Sequence, residues 1–231
     1  MQSAKSFARK CFRVVLLAGL AVAISSCGLF TSSGQEDDHA TLRSFGLGVT
    51  CGVERWSVKT GTDADIDSVD LNPQSTDLAT LISFPHPSYL PPNNRVPEEL
   101  QVYQLTDVTL TVYKLENDSD YHLVLFDGAS TMIAEIPDPG CVGASSPFLG
   151  GLQLARAAFY ERYHPTSSFQ TADIPVTIIG AGFFDFFHSQ RGVAPNAFEL
   201  HAVLGICFET GCQLKSEARA LFPTGSASDS L

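Results

Sequence analysis

Three strand-like stretches, joined by two short turns, lie between residues 108 and 136 and constrain the fold more than any other feature of the chain. Val108–Leu115 alternates between two faces and is rich in β-branched residues, and Tyr121–Phe126 and Met132–Ile136 are short apolar runs of strand length. Strands that are joined by such short turns usually pair antiparallel with their neighbours in sequence. The segment therefore predicts a three-stranded meander, which needs further elements to cover its apolar face.

A helix and two more strands follow the meander. Ser146 and Pro147 are typical of a helix start, and apolar residues recur at helical spacing from there to Tyr163. Two strands are expected at Pro175–Phe187 and Phe198–Phe208. The order β-β-β-α-β-β is that of the OB-fold, a small, partly open barrel with one helix between its third and fourth strands. We therefore expect a mainly β protein with a five-stranded OB-like barrel and one helix.

Composition divides the rest of the chain. Residues 27–48 are rich in Ser, Gly, Asp and Glu and predict a flexible tether. Residues 49–106 contain a proline-rich stretch, which excludes regular helix and central strand, and they predict an extended N-terminal arm packed on the barrel. The barrel itself is expected at residues 107–214, and a small polar tail at residues 215–231.

The first residues have the features of an export signal. Four basic residues precede Val14–Ile24, an uncharged apolar run that suits a signal peptide and is too short to span a bilayer. Ser25-Ser26-Cys27-Gly28 follows and resembles the bacterial lipobox. This resemblance implies that residues 1–26 are a lipoprotein signal peptide and that Cys27 carries the lipid. A soluble secreted protein cleaved near the same place is the alternative. Gly28 in place of Asp favours the outer membrane within the cell envelope.

Net charge limits the class of partner. The formal net charge is −11, and removal of residues 1–26 takes away four Lys and Arg and no Asp or Glu, which makes it −15. An acidic protein repels nucleic acid phosphates and anionic lipid headgroups. Nucleic acid is therefore not an expected partner. The expected partners are the membrane, through the lipid, and an envelope protein or a glycan.

Four cysteines remain after Cys11 and Cys27 are set aside, an even number for an oxidising compartment. Cys207 and Cys212 flank a turn-like spacer, so we expect a short-loop disulfide between them and a second one between Cys51 and Cys141. A zinc site is the rival interpretation, but the C-x2-C spacing that zinc sites favour does not occur.

Several carboxylates and imidazoles fall on strands or at their ends. The candidates are Asp118, Asp120 and His122 at the second strand, Asp185 and His188 at the end of the fourth, and Glu199 and His201 on the fifth. Residues of equal parity project to one side of a strand, and these groups suit a divalent cation or acid/base chemistry. In the alternative interpretation, the two aspartates only bond the backbone of their turn, Glu199 and His201 lie on a solvated face, and His122 pairs with a carboxylate.

The loop between the last two strands is a candidate ligand-binding rim. In OB-folds this loop and the one between the first two strands border the binding face. His188, Arg191 and Asn196 are the candidate ligand-binding residues on it. The alternative is a loop whose shape serves only the fold, set by Gly192 and Pro195.

Part of the chain resembles an uncharacterised family of bacterial secreted proteins. The strings that carry the resemblance are Glu54–Thr60, Asp118–Leu125, Met132–Pro137, Gly192–Asn196 and Glu199–His201. Together they cover most of residues 51–208. The resemblance implies export and supplies no reaction.

A second, local resemblance is to the staphylococcal-nuclease family, whose members are OB-fold enzymes. It extends from the Asp118-Ser119-Asp120 turn to Pro137-Asp138-Pro139, and Asp120 and Asp138 match the two calcium-binding aspartates of that family. Ile133 stands where the family has its catalytic arginine, and Cys141 stands where it has its catalytic glutamate. The resemblance therefore supports the fold, and its departures argue against the activity.

Two functions remain open. The chain has no P-loop, dinucleotide fingerprint or Gly-x-Ser-x-Gly elbow. The first function is an envelope lipoprotein whose OB-like domain binds a ligand or protein without catalysis, with no cofactor apart from a divalent metal ion as a weaker alternative. The second is a metal-dependent phosphodiesterase or nuclease-like hydrolase. Fold alone does not choose between them, and the most informative observation is whether the Asp, His and Glu candidates converge: Asp118, Asp120, His122, Glu199 and His201.

Overall fold

The computed structural model describes residues 43–45, 49–214 and 220–221. The expected signal peptide, the expected lipidation site Cys27, most of the expected tether and most of the expected tail lie outside the described residues. Within the described ranges, no helix has the length and apolar character needed to cross a membrane.

The described chain contains eight strands and three α-helices. The strands are β1 (Arg43–Phe45), β2 (Val49–Cys51), β3 (Asp70–Thr76), β4 (Gln101–Leu115), β5 (Tyr121–Phe126), β6 (Thr131–Ile136), β7 (Gln170–Phe184) and β8 (Phe198–Phe208). The helices are α1 (Trp56–Thr60), α2 (Leu78–Leu81) and α3 (Leu149–Arg162). Short 3₁₀ turns lie at Ile66–Ser68, Pro97–Glu99 and Pro139–Cys141.

Strands β4 to β8 form a closed barrel in the order β4-β5-β6-β8-β7, and β7 pairs back to β4. All neighbouring pairs are antiparallel except β6 and β8, which run parallel. Helix α3 lies between β6 and β7 in the sequence. This strand order and helix position confirm the expected OB-like barrel.

The first barrel strand is longer than expected, because β4 begins at Gln101 and not near residue 107. Leu105 and Val108 are buried, but Thr106 and Asp107 between them are both exposed. Asp107 has a φ of 56°, and the pairing register with β7 shifts at this point. A bulge therefore interrupts the alternation that would have revealed the start of the strand.

The expected N-terminal arm packs on the barrel through residues 49–100. Strand β3 pairs in parallel with the beginning of β4, and β1 pairs with β2 as a separate hairpin. Arg55, which precedes α1, donates from Nη1 to Glu99 Oε1 at 2.6 Å and to the Phe184 carbonyl at 2.8 Å. Its Nη2 donates to Glu99 Oε2 at 2.8 Å. This buried bidentate pair fixes the start of α1 against the end of β7.

The other end of α1 is fixed as well. The Ser146 hydroxyl donates to the Thr60 carbonyl at 2.6 Å, and it also accepts from the Phe148 backbone N–H, just before α3. Gly61 ends α1 with a φ of 66°, and a β-carbon there would lie 2.6 Å from the Phe148 ring. Glycine suits both the left-handed conformation and the close contact. Ser146 thus caps the turn that leads into α3, which begins at Leu149 and not at Pro147.

The apolar core fills the barrel and the space under α3. Its largest buried members include Leu105, Leu110, Leu123, Leu125, Met132, Phe148, Phe159 and Phe198. Helix α3 approaches β8 closely at Gly151, where a β-carbon would lie 2.9 Å from the Leu204 carbonyl oxygen. A full side chain buried in such a core contributes roughly 1.5–3 kcal/mol, so α3 is held mainly by this apolar contact.

Both expected disulfides are confirmed. Cys51 at the end of β2 is bonded to Cys141 in the turn after β6, across a sequence separation of 90. Cys207 and Cys212 close a short loop at the end of β8. Cys141, which stands where the nuclease family has its catalytic glutamate, is therefore a structural residue here.

Candidate functional site

A row of polar side chains crosses three adjacent strands on the outer face of the barrel. Glu135 on β6 stands opposite His122 on β5 and opposite His201 on β8. Their sequence neighbours, such as Leu123 and Ala134, belong to the apolar core. Because successive residues of a strand point to opposite faces, His122, Glu135 and His201 lie side by side on the outer face.

Glu135 links the two imidazoles. Its Oε1 lies 3.1 Å from His122 Nδ1, and its Oε2 lies 3.2 Å from His201 Nδ1. His201 Nε2 is 3.5 Å from Asp120 Oδ2, and Glu199 Oε2 is 3.9 Å from His201 Nδ1. Four of the sequence-predicted candidates therefore converge around Glu135, a residue that the sequence analysis did not single out.

His122 is hydrogen-bonded on both sides. Nδ1 contacts the Glu135 carboxylate, and Nε2 lies 2.9 Å from the Arg191 carbonyl. Both partners are acceptors, so satisfying both contacts requires a proton on each nitrogen, that is, the imidazolium. Burial disfavours that charged form, but the bond and the charge of Glu135 outweigh burial and raise the pKa of His122. His122 thus has no free nitrogen for another ligand.

Asp120 and His201 carry polar atoms that the protein leaves unsatisfied. Asp120 Oδ1 accepts from the Asp138 backbone N–H at 3.2 Å. Asp120 Oδ2 and both ring nitrogens of His201 are buried and have no hydrogen-bond partner among the described residues. His201 Nδ1 is close enough to Glu135 for an ion pair, but the geometry is not that of a hydrogen bond. Buried orphan atoms of this kind require an explanation.

Lys59 joins the site from α1. Its Nζ lies 5.1 Å from the centroid of the Phe183 ring, and the residue is buried. Burial disfavours the ammonium form of Lys59, but the negative charges of four nearby carboxylates outweigh burial and raise its pKa. The four carboxylates are those of Asp185, Glu135, Glu199 and Asp120. The sequence analysis missed Lys59 because only the folded arm brings it over the barrel.

The carboxylates of the site differ in charge state. Burial would raise the pKa of Glu135, but the bond from His122 and the charges of both imidazoles and Lys59 lower it to about 2. Burial, reinforced by the charge of Asp185, raises the pKa of Glu199 to about 7. Burial and the charge of Glu135 raise the pKa of Asp120.

The turn between β4 and β5 lies at the edge of this site. Asp118 accepts from the Asp120 backbone N–H at 3.3 Å, as expected for a turn residue. Burial and the charge of Asp120 raise the pKa of Asp118 to about 7. Arg156 of α3 holds the turn by donating to the carbonyls of Ser119 and Ile136, at 2.8 Å each.

The alternative interpretation of the strand residues is wrong for β8. Glu199 and His201 are buried and do not lie on a solvated face. The same alternative interpretation also expected His122 to pair with a carboxylate, and this agrees with the contact between His122 and Glu135.

The candidates on the loop between β7 and β8 have separate roles. His188 Nε2 lies 3.5 Å from Glu54 Oε2 and 3.7 Å from Asp185 Oδ1, and these two carboxylates raise the pKa of His188 to about 10. Asn196 donates to the carbonyls of Leu81 and Phe84, so it fixes the arm. The Arg191 side chain is exposed and lies over Phe169, 5.1 Å from the ring centroid.

Asp138, the second calcium-site candidate, is occupied by structural contacts. Its Oδ1 accepts from the Gly140 backbone N–H at 2.8 Å, and its Oδ2 lies 3.2 Å from Arg156 Nη2. Ile133, at the position of the family's catalytic arginine, is fully buried.

Three groups among the described residues have the composition and spacing of metal ligands. They are Asp120, Glu135 and His201; Glu116, His122 and Glu135; and Glu54, Asp185 and His188. Within each group, the candidate ligand atoms lie within 4.8 Å of one another.

The polar row occupies the face on which OB-folds bind their ligands. That face is formed by the second and third barrel strands, here β5 and β6, and is bordered by the β4–β5 and β7–β8 loops. In this protein α1 lies beside the polar row: Arg55 Cζ and Lys59 Nζ lie 4.9 Å and 5.1 Å from the ring centroid of Phe183 on β7, and that ring is 5.4 Å from the His201 ring on β8. The chain matches no known protein-family profile, and no curated protein is significantly similar to it.

Proposed function

We propose that this protein is an envelope lipoprotein whose OB-like domain binds a small cationic ligand without catalysis. The lipid anchor at Cys27, the bacterial cell envelope and the outer membrane follow from the N-terminal sequence. The binding function follows from the polar site on the barrel.

One observation carries the proposal: the buried carboxylates of the site exceed their cationic partners. Glu135 is matched by His122, and Asp185 is matched by His188. The buried Asp120 and Glu199 and the half-buried Asp118 remain, with Lys59 as their cation and Arg156, which also pairs with Asp138, near Asp120. Their pKa values are raised because buried carboxylates without sufficient positive charge retain protons. A cationic ligand would replace those protons and supply the missing charge.

The ligand is small because the site is covered. His122 on β5 and Glu135 on β6 are buried, so these strands do not present the open polar face along which oligonucleotide-binding OB-folds hold a polymer. Glu135 and Lys59 retain 6% and 9% exposure, which gives the site a narrow contact with solvent. The acidic surface also repels nucleic acids.

Thermal unfolding of the exported chain tests the proposal. Manganese chloride, zinc chloride or spermidine should raise the Tm by about 5 °C or more at concentrations near 100 times the Kd. Sodium phosphate and single-stranded DNA should leave the Tm unchanged. Stabilisation by phosphate or DNA, without stabilisation by any of the cations, would reject a cation-binding site.

A metal-dependent phosphodiesterase is the second candidate, and Lys59 is the observation that favours it. Lys59 supplies a buried positive charge beside the carboxylates, which Ile133 does not. Under the first proposal, the protein with Mn²⁺ does not hydrolyse bis-p-nitrophenyl phosphate. Turnover that is lost in both Asp120→Asn and Lys59→Met would establish the hydrolase instead.

A further inference from the structure

We propose that Asp120, Glu135 and His201 together bind one divalent transition-metal ion. This inference rests on the proposed function and names its ligand. One carboxylate oxygen of Asp120, one of Glu135 and one ring nitrogen of His201 lie within 4.8 Å of one another, and all three side chains are buried. Ligand atoms that share one ion lie about 3–4 Å apart, so small side-chain movements complete the site.

The unsatisfied atoms point to a ligand independently of this spacing. Asp120 Oδ2 and both nitrogens of His201 are buried and lack hydrogen-bond partners among the described residues. Asp120 Oδ2 and His201 Nε2 are 3.5 Å apart. A metal ion between them would give each the strong interaction that the protein does not provide.

The surroundings orient these ligands as metal sites require. The Asp138 backbone N–H holds Asp120 Oδ1 and leaves Oδ2 available. His122 holds Glu135 Oε1 at 3.1 Å and leaves Oε2 directed at His201. Such hydrogen-bonding partners behind metal ligands fix their orientation.

The other two candidate groups are weaker. His122 uses both of its nitrogens, for Glu135 and the Arg191 carbonyl, so it cannot also bind a metal ion. In the third group, His188 already lies between Glu54 and Asp185, and none of the three has a buried polar atom without a partner. In the Glu116 group one atom, Glu116 Oε1, is also buried without a hydrogen-bond partner, whereas in the Asp120 group both Asp120 and His201 have such atoms and His201 has a nitrogen free for an ion.

The ligand set selects the class of metal. One imidazole and two carboxylates suit Mn²⁺, Fe²⁺ or Zn²⁺, whereas Ca²⁺ prefers six to eight oxygen ligands. The four cysteines of the described residues are all in disulfides and offer no thiolate. An ion of charge +2 also matches the excess of carboxylates over Lys59.

Isothermal titration calorimetry with ZnCl₂ and with MnCl₂ tests the inference on the full exported chain. We expect one ion per chain and no comparable binding of CaCl₂. Asp120→Asn and His201→Gln should each weaken binding by about 100-fold or more, since loss of even an outer-shell partner typically weakens it 10–100-fold. The matched controls, Asp138→Asn and His164→Gln, the latter at an exposed histidine that stacks on Tyr160, should bind as the wild type does.

A second measurement uses the wild-type protein and therefore does not depend on whether the variants fold. X-ray absorption at the zinc edge of the loaded wild-type protein should show nitrogen and oxygen ligands only, with one imidazole. Two imidazoles, or binding lost in His188→Gln and kept in His201→Gln, would overturn the assignment. If spermidine stabilises the protein and neither metal binds, the metal site fails and the cation-binding proposal stands. If no cation binds, both fail.

Discussion

Glu135 and His201 stand opposite each other on the parallel strands β6 and β8, with Glu135 Oε2 3.2 Å from His201 Nδ1. These strands are separated in sequence by all of α3 and β7, so the pair forms only when the barrel closes. A ligand that needs both residues binds the folded protein and not the unfolded chain. Binding therefore adds directly to the free energy of unfolding.

The buried pair between Arg55 and Glu99 should be a main support of the arm. Glu99→Ala leaves Arg55 buried without its carboxylate and should lower the free energy of unfolding by about 3–5 kcal/mol, as measured by urea denaturation. Glu209→Ala, which removes an exposed partner of Arg162, is the control and should change it by less than about 1 kcal/mol. Equal effects of the two substitutions would contradict this role.

The two disulfides should differ in their contribution to stability. Cys51–Cys141 spans a sequence separation of 90 and Cys207–Cys212 one of 5, and a longer closed loop restricts the unfolded chain more. We expect the Cys51→Ala, Cys141→Ala double variant to lose about 2–4 kcal/mol, and the Cys207→Ala, Cys212→Ala variant to lose less. Chemical denaturation of both variants measures the difference, and the reverse order would show that local strain dominates.

Glu199 should make the metal-free protein less stable as pH rises. Its pKa is raised from 4.5 to about 7 in the folded state, so its contribution is fully present below pH 4.5 and is lost as pH rises through 7. Between pH 5 and pH 8 this costs the wild-type protein on the order of 2–3 kcal/mol in the free energy of unfolding, and Glu199→Gln should remove that loss. Urea denaturation at both pH values tests the effect, and parallel profiles of wild type and variant would contradict it.

The proposed lipid anchor makes a prediction for living cells. Cys27→Ser should abolish labelling by a fatty-acid analogue and should leave an uncleaved precursor, because the resemblance to the lipobox assigns the acyl chains to this cysteine. Cys11→Ser, within the expected signal, is the matched control and should be labelled normally. Labelling that persists in Cys27→Ser would place the anchor elsewhere.

The barrel was predictable because its strands carry local signals. β8 has the predicted limits, Phe198–Phe208, and the short turns around β5 fix the meander. The beginning of β4 was not predictable, because the bulge at Asp107 breaks the alternation of apolar residues. Bulges are set by the pairing partner, which local sequence does not reveal.

Residues of the site were predictable only where polar residues at alternate positions of a strand showed that they share one face. Asp120, His122 and His201 stood out because they share a face of a strand with other polar groups. Glu135 looked like an ordinary solvent-facing residue of an alternating strand, and Lys59 lies in a different part of the sequence. Lys59 is buried where α1 packs against Phe183, and Glu135 is buried between His122 and His201 of the neighbouring strands; both are tertiary contacts.

Helix α1 should also set the rates at which an ion enters and leaves the proposed site. Arg55, at its start, makes five hydrogen bonds to the arm and the barrel, so the cover over His201 lifts only through local unfolding. The rate of capture should therefore level off at high ion concentration, at the opening rate of the helix. A chelator should remove the ion at a rate that does not depend on chelator concentration. If the protein lies in the envelope as proposed, such slow exchange would let it keep a bound ion through brief changes in the surrounding medium.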